Sequence, residues 1–132
     1  MTYDTIPSTE EITMNKIIQP QMTFTGTLPC ADCGGIKTEL TFIPDSMIYR
    51  MRETYLNTGM GNKLYETTGT YAINVGTTED SGASVYQLNP GDTERVRVFR
   101  TEADTIIVML DRHLNEIKST LNYRLVRERD SI

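Results

Sequence analysis

Short segments of alternating apolar and polar residues, separated by turn residues, constrain the fold of this chain most strongly. Side chains on a β-strand point to opposite faces in turn, so strict alternation predicts a strand with one buried face. The connections are too short for the crossovers of a parallel sheet, and eight strands suffice to close a barrel. The sequence therefore predicts an all-β fold, an eight-stranded antiparallel meander barrel. The predicted strands are residues 22–27, 36–42, 47–55, 64–73, 84–88, 93–100, 105–110 and 119–126.

The length of 132 residues predicts one domain with one modest core. Residues 1–21 show no sustained period, and we expect them to form a flexible N-terminal tether. Residues 22–129 then form the β-barrel domain. Within the fourth strand, Gly69 is a candidate bulge or kink.

The charge of the chain limits its partners. The net charge is −5 and the sequence pI is about 4.8, which argues against nucleic acid as the main partner. Several arginines alternate with valine and leucine, and this pattern predicts the solvated faces of strands. These arginines occupy positions 50, 52, 95, 97, 100, 124, 127 and 129.

The two cysteines, Cys30 and Cys33, lie three positions apart in the loop predicted between the first two strands. A redox-active pair normally sits at the N-terminus of a helix. No helix-length segment follows this pair, and Asp32 between the thiols disfavours a thiolate. The favoured interpretation is a disulfide, which would contribute about 2 kcal/mol by closing so short a ring and which requires an oxidising compartment.

Metal binding is a second interpretation, and it is compatible with a disulfide that opens on reduction. A zinc site normally has four ligands, whereas the chain offers two cysteines and one histidine, His113. Copper(I) suits thiolates and thioethers at low coordination number. Alternate connections of a meander share one barrel end, so His113 and Met60 are candidate auxiliary donors beside the thiols. The alternative for His113 is an exposed turn residue. No cofactor is certain, and copper is the one candidate.

Two segments carry a recognisable pattern. The first is Gly26-Thr27-Leu28-Pro29-Cys30-Ala31-Asp32-Cys33, followed by Gly35-Ile36 and an alternating strand. The second is Met109-Leu110-Asp111-Arg112, then Asn115-Glu116-Ile117, Ser119 and Leu121-Asn122-Tyr123-Arg124-Leu125. Both resemble the N-terminal domain of the NlpE family, which comprises copper-resistance and envelope-stress lipoproteins of Gram-negative bacteria. A weaker match covers residues 65–71. Together these matches span residues 24–126.

The resemblance implies a lipocalin-like barrel, export to the cell envelope and a lipid anchor upstream of the sequence given. The favoured function is a non-enzymatic lipoprotein domain linked to copper resistance or surface-stress sensing through the CxxC loop. Its expected location is the periplasmic face of the outer membrane or the cell surface. The expected partners are an envelope signalling protein and copper(I), with membrane contact only through the anchor. The family carries no established catalytic residues.

The alternative function is a lipocalin-like binder of a small apolar ligand inside the barrel. Barrels of this size either hold one small ligand or are filled by their own side chains. The inward Met, Tyr and Leu side chains are large enough to fill this barrel, which favours a packed interior.

Overall fold

The computed structural model describes residues 20–128, which form a closed barrel of eight antiparallel strands in chain order. This confirms the predicted fold class. Most of the tether predicted at residues 1–21, and Arg129, lie outside the described residues. The described part of the chain contains no helix long and apolar enough to span a membrane. The strands are β1 (Met22–Leu28), β2 (Gly35–Ile43), β3 (Ile48–Thr58), β4 (Gly61–Val75), β5 (Ser84–Leu88), β6 (Arg97–Ala103), β7 (Ile106–Leu110) and β8 (Arg124–Arg127).

Aromatic rings fill the barrel end at which β1 begins. Phe42 makes an edge contact with Tyr71, with the ring centroids 4.7 Å apart, and its ring lies 4.6 Å from that of Tyr86. Phe24 packs against Phe42 from the other side, at 6.0 Å. Such aromatic pairs add to the stabilisation from apolar burial. The core contains Phe24, Leu28, Leu40, Phe42, Tyr49, Met51, Tyr71, Leu88, Phe99, Ile107 and Leu125.

A smaller apolar cluster lies on the outer wall of the barrel. Val85, Val98 and Leu110 alternate with inward residues on β5, β6 and β7, and they are buried by Val96 and Leu114. Leu114, which covers this cluster, also contacts the β4–β5 connection at residues 76–83. The backbone N–H of Thr78 donates to the Leu114 carbonyl at 3.4 Å. Two connections that start at opposite ends of the barrel therefore meet on the outer wall.

The start of β6 differs from the sequence prediction. The strand begins at Arg97, four residues later than the predicted start at residue 93. The Asp92 carboxylate accepts hydrogen bonds from the backbone N–H groups of Glu94 at 3.1 Å and Arg95 at 3.3 Å. Local bonds of this kind compete with the ladder and hold the chain in a turn.

The start of β8 also differs from the sequence prediction, and for the same reason. The strand begins at Arg124, whereas alternation predicts a start at residue 119. Asn122 accepts from the backbone N–H of Arg124 at 3.2 Å and donates through Nδ2 to the Thr27 carbonyl at 3.0 Å. The Asn122 side chain thus bonds to the Thr27 carbonyl and the Arg124 N–H, which backbone groups of a longer β8 would otherwise pair with.

The β3–β4 connection is shorter than the one between the predicted strands 47–55 and 64–73. β3 continues to Thr58, β4 resumes at Gly61, and only Gly59 and Met60 remain between them. Asn57 adopts a positive φ of 54°, and the ladder shifts register between Tyr55 and Thr58. This irregularity lets the two strands continue almost to the tip of the hairpin.

Gly69 is not a bulge, since the β3–β4 ladder is regular there and pairs it directly with Tyr49. A Cβ atom at Gly69 would lie 2.7 Å from Cε1 of Tyr49 and would also collide with Oδ1 of Asn89. Tyr49 is 1% exposed, and its hydroxyl accepts a hydrogen bond from Nδ2 of Asn89 at 3.0 Å. The absence of a side chain at Gly69 therefore makes room for a buried tyrosine.

We expect Gly69→Ala to lower the free energy of unfolding by about 1–3 kcal/mol, because the added methyl group overpacks the Tyr49 ring. Gly59→Ala is the matched control, since nothing lies within 4 Å of its Cβ position. Urea unfolding followed by circular dichroism measures both variants. Equal denaturation midpoints for the two variants would contradict this account of Gly69.

Candidate functional site

Cys30 and Cys33 form a disulfide in the β1–β2 connection at residues 29–34. Their Cα atoms are 5.4 Å apart, within the usual range for a disulfide. Both cysteines are partly exposed, and Ala31 and Asp32 between them are exposed. The disulfide that the CxxC spacing favours is therefore present on an accessible loop.

The ladder beneath this loop is complete without the disulfide. β1 and β2 form seven consecutive pairs, the last of which is Leu28 with Ile36. Beyond that pair, the backbone N–H of Gly34 donates to the Leu56 carbonyl at 2.7 Å. Backbone hydrogen bonds thus position both ends of the loop, and the disulfide lies outside them.

Each of the two sulfur atoms lies near an oxygen atom that carries a negative charge or partial charge. Sγ of Cys30 lies 3.7 Å from Oδ1 of Asp32, and Sγ of Cys33 lies 3.4 Å from the Gly35 carbonyl. In the reduced state these oxygens would favour the thiol over the thiolate. The geometry therefore supports a structural or switchable disulfide over a thiol activated for catalysis.

The two candidate auxiliary donors are exposed. Met60 lies at the tip of the β3–β4 hairpin and is 82% exposed. His113 is an exposed turn residue whose carbonyl accepts from Oγ1 of Thr78 at 3.4 Å, so it lies on the outer wall against a connection from the opposite barrel end. Within residues 20–128, no group of three or more His, Cys, Asp and Glu side chains is placed to hold a metal ion. A role for Met60 and His113 beside the cysteines stays a prediction.

An ion pair inside the barrel was not predicted from the sequence. Glu53 is 5% exposed, and its Oε2 accepts from Nη1 of Arg97 at 2.9 Å. The sequence predicts that the arginines on the strands lie on solvated faces. This is wrong for Arg97, which points into the barrel, whereas its neighbour Val98 points outward. Alternation contains a signal for Glu53, which lies between the inward residues Met51 and Tyr55 on β3.

Three cavities share Glu53 at the end of the barrel that we call the mouth, where the β1–β2, β3–β4, β5–β6 and β7–β8 connections begin. The first has a volume of about 370 Å³ and borders the disulfide loop, because Leu28 and Pro29 line it. The second, of about 450 Å³, is lined by Tyr55 and Tyr65. The third, of about 310 Å³, reaches the β5–β6 connection. The interior is therefore packed at the aromatic end and open at the mouth.

The segment that contains His113 is anchored to the barrel by an ion pair. Nη2 of Arg100 donates to Oε1 of Glu116 at 3.1 Å, and Nε of Arg100 contacts the second oxygen. The bond from Arg100 lowers the pKa of Glu116. At the start of the segment, backbone N–H groups of Asn115 and His113 donate to Asp111 and lower its pKa.

Acid should therefore weaken the attachment of this segment. Because the folded pKa of Glu116 lies below the unfolded value, its carboxylate stabilises the fold above about pH 4.3, and this stabilisation is lost as the pH falls through the folded pKa. We expect acidification from pH 5 to pH 3 to destabilise the wild type by about 1 kcal/mol more than Glu116→Gln. Urea unfolding at both pH values measures the difference, and identical pH slopes would contradict it.

Comparison with known proteins gives a family. The chain matches the model of the NlpE N-terminal domain over residues 24–120. It is 32% identical over 110 residues to the lipoprotein NlpE of Escherichia coli K12, and the matched region is 81% of this chain and 41% of that protein. The chain thus spans less than half the length of this curated relative.

Solved structures agree with the fold. The crystal structure of the Cpx pathway activator NlpE from Escherichia coli is similar with a TM-score of 0.56 and 32% identity, covering 86% of this chain and 53% of that one. A presumed lipoprotein from Shewanella oneidensis shares the fold with a TM-score of 0.61 and 24% identity, covering 80% of this chain and 86% of that one. Because the family model covers most of the sequence, the chain belongs to the NlpE N-terminal domain family.

Proposed function

We propose that this chain is a non-enzymatic sensor domain of a cell-envelope lipoprotein, and that the Cys30–Cys33 loop links it to copper or to surface stress. Its Escherichia coli relative is described as the Cpx pathway activator, and we propose that this chain likewise acts on an envelope signalling protein. Its location is the periplasmic face of the outer membrane or the cell surface. Its membrane contact is a lipid anchor upstream of the sequence given.

The observation that carries this proposal is the position of the disulfide outside a complete ladder. The pair Leu28 and Ile36 closes the ladder, and the Gly34-to-Leu56 bond holds the loop end. The disulfide can therefore open and close while β1 and β2 remain paired. A change of state confined to an exposed loop is suited to being read by a partner protein.

The donor set fits copper(I) better than zinc. Reduction of the disulfide would provide two thiols on residues whose Cα atoms are 5.4 Å apart. Two thiolates are sufficient for a soft ion at low coordination number, whereas a zinc site normally has four ligands. Copper(I) is thus a cargo or signal that the reduced loop would bind.

A ligand-binding function is the second candidate, and the open mouth favours it. The cavity of about 370 Å³ beside Pro29 lies within the volume range of small-molecule sites. Its lining combines apolar side chains with the Glu53–Arg97 pair, which is the usual composition of such sites.

The double variant Cys30→Ser/Cys33→Ser should retain the fold and lose only about 2 kcal/mol of unfolding free energy, because the disulfide closes a very short ring. Urea unfolding of the oxidised wild type and of the variant gives this difference, and treatment of the wild type with reductant should reproduce it. Unfolding of the double variant at 25 °C would contradict the view that the loop is separable from the barrel.

Copper(I) binding should require reductant and should be lost in the same double variant, because the thiolates are the proposed ligands. Competition against a copper(I) chelator, with and without reductant, measures this binding. Met60→Leu and His113→Gln test the auxiliary donors, and each should weaken binding less than loss of the cysteines. Unchanged copper(I) affinity in the double variant would refute the proposed role of the CxxC loop.

A further inference from the structure

We propose that the cavity of about 370 Å³ beside Pro29, called the mouth cavity from here on, binds a single-chain aliphatic carboxylate, with Arg97 and Arg112 holding its head group. This inference rests on the second candidate function and names its ligand class. It depends on four features of the cavity: free guanidinium donors, the charge balance, the apolar lining and the volume.

Arg97 supplies the first donors. In the part of the chain from residue 20 to residue 128, its polar contacts are with Glu53 and Met51, and both use Nη1. A guanidinium has five N–H donors, so Nε and Nη2 of Arg97 remain for a second acceptor. The Glu53 carboxylate keeps the guanidinium in place, which prepares it for a planar bidentate acceptor such as a carboxylate.

Arg112 supplies a second cation to the same cavity. Its Nη2 donates to the Thr93 carbonyl at 2.9 Å, which ties the β7–β8 connection to the β5–β6 connection. The charged lining of the cavity then consists of Glu53, Arg97 and Arg112. Two cations and one anion leave a formal charge of +1, which one carboxylate neutralises.

The remaining wall accepts an apolar chain. Leu28 and Ile36 are paired across β1 and β2, and Val96 and Met109 also line the cavity. The cavity of about 370 Å³ lies near the lower end of the volume range of small-molecule sites, which suits a ligand with one short chain. Decanoate, with one carboxylate and a chain of ten carbons, is such a ligand.

The Glu53–Arg97 pair itself argues for a ligand, because Glu53 is buried whereas the Arg97 side chain is 34% exposed at the mouth. A carboxylate taken out of water usually stabilises a fold no better than an apolar residue of the same volume, even when it is paired. The same barrel fills its other end with aromatic rings, so apolar packing was available to it. A pair placed at the open end, with donors to spare, is better explained by recognition of a polar group.

The test is calorimetric titration of the full chain, with its disulfide intact, against four probes at equal ionic strength. Decanoate has the proposed head group and chain. Decanol has the same chain without a charge, decyltrimethylammonium has the chain with a positive charge, and acetate has the carboxylate without the chain. We expect decanoate to bind about tenfold more tightly than decanol, because a charge-assisted hydrogen bond is lost with the carboxylate. Decyltrimethylammonium should bind more weakly than decanol, and acetate should show no saturable binding.

Three variants locate the site. Arg112→Gln should weaken decanoate binding about tenfold and leave decanol binding unchanged. The double variant Glu53→Gln/Arg97→Gln leaves no unpaired buried charge and should also lose the preference for decanoate over decanol. Arg50→Gln is the matched control, because Arg50 is exposed on the outward face of β3, and it should leave both affinities unchanged. Circular dichroism and the Tm establish that each variant is folded.

The outcomes separate this inference from the function on which it rests. Equal affinity for decanoate and decanol would overturn the anionic ligand class and leave an apolar binding site. No binding of either ligand by the folded protein would overturn both the site and the second candidate function. Decanoate binding that Arg112→Gln and the double variant leave unchanged would place the ligand elsewhere and overturn the assignment of the head-group residues.

Discussion

Closure of the barrel depends on the seam made by β8, a strand of four residues. β8 pairs with β7 at three positions and with β1 at two, and in the described chain it is the strand that joins these two edges. Gly26 allows β8 to approach β1 closely, because a Cβ atom there would lie 2.7 Å from the Arg124 carbonyl. Leu125 of the seam is completely buried in the interior. Closure removes the open edges that β1 and β7 would otherwise present to other chains.

The number and order of the strands could be predicted because inward and outward side chains alternate with a period of two. The strand boundaries could not, because they depend on side chains that bond to the backbone, which alternation does not report. Asp92 delays β6 and Asn122 delays β8. At the β3–β4 tip the strands are longer than predicted, not shorter. Asn57 tolerates a positive φ, and the hairpin therefore extends through a segment rich in turn residues.

The two parts of the candidate site differ in how far the sequence reveals them. The cysteine pair could be identified because its chemistry depends on a spacing of three positions. The ion pair could not, because Glu53 and Arg97 are 44 positions apart and meet only through the register of the strands between them. The inward position of Glu53 was accessible from alternation on β3, but its partner was not. Arg97 also lies between two valines, a pattern that resembles an outward arginine on a strand with its apolar face inside.

The candidate chemistry and the aromatic cluster of the core lie at opposite ends of the barrel. Phe24, Phe42, Tyr71 and Tyr86 fill one end, and their contacts do not involve the disulfide loop. At the mouth, β1 and β2 end in the pair Leu28 and Ile36, which lines the cavity and also leads into the disulfide loop. A change at the disulfide therefore reaches the cavity wall through one covalently adjacent element. It reaches the aromatic end only through the full length of two paired strands. In the function proposed for this chain, this arrangement would let the loop and the mouth respond together while the barrel remains folded.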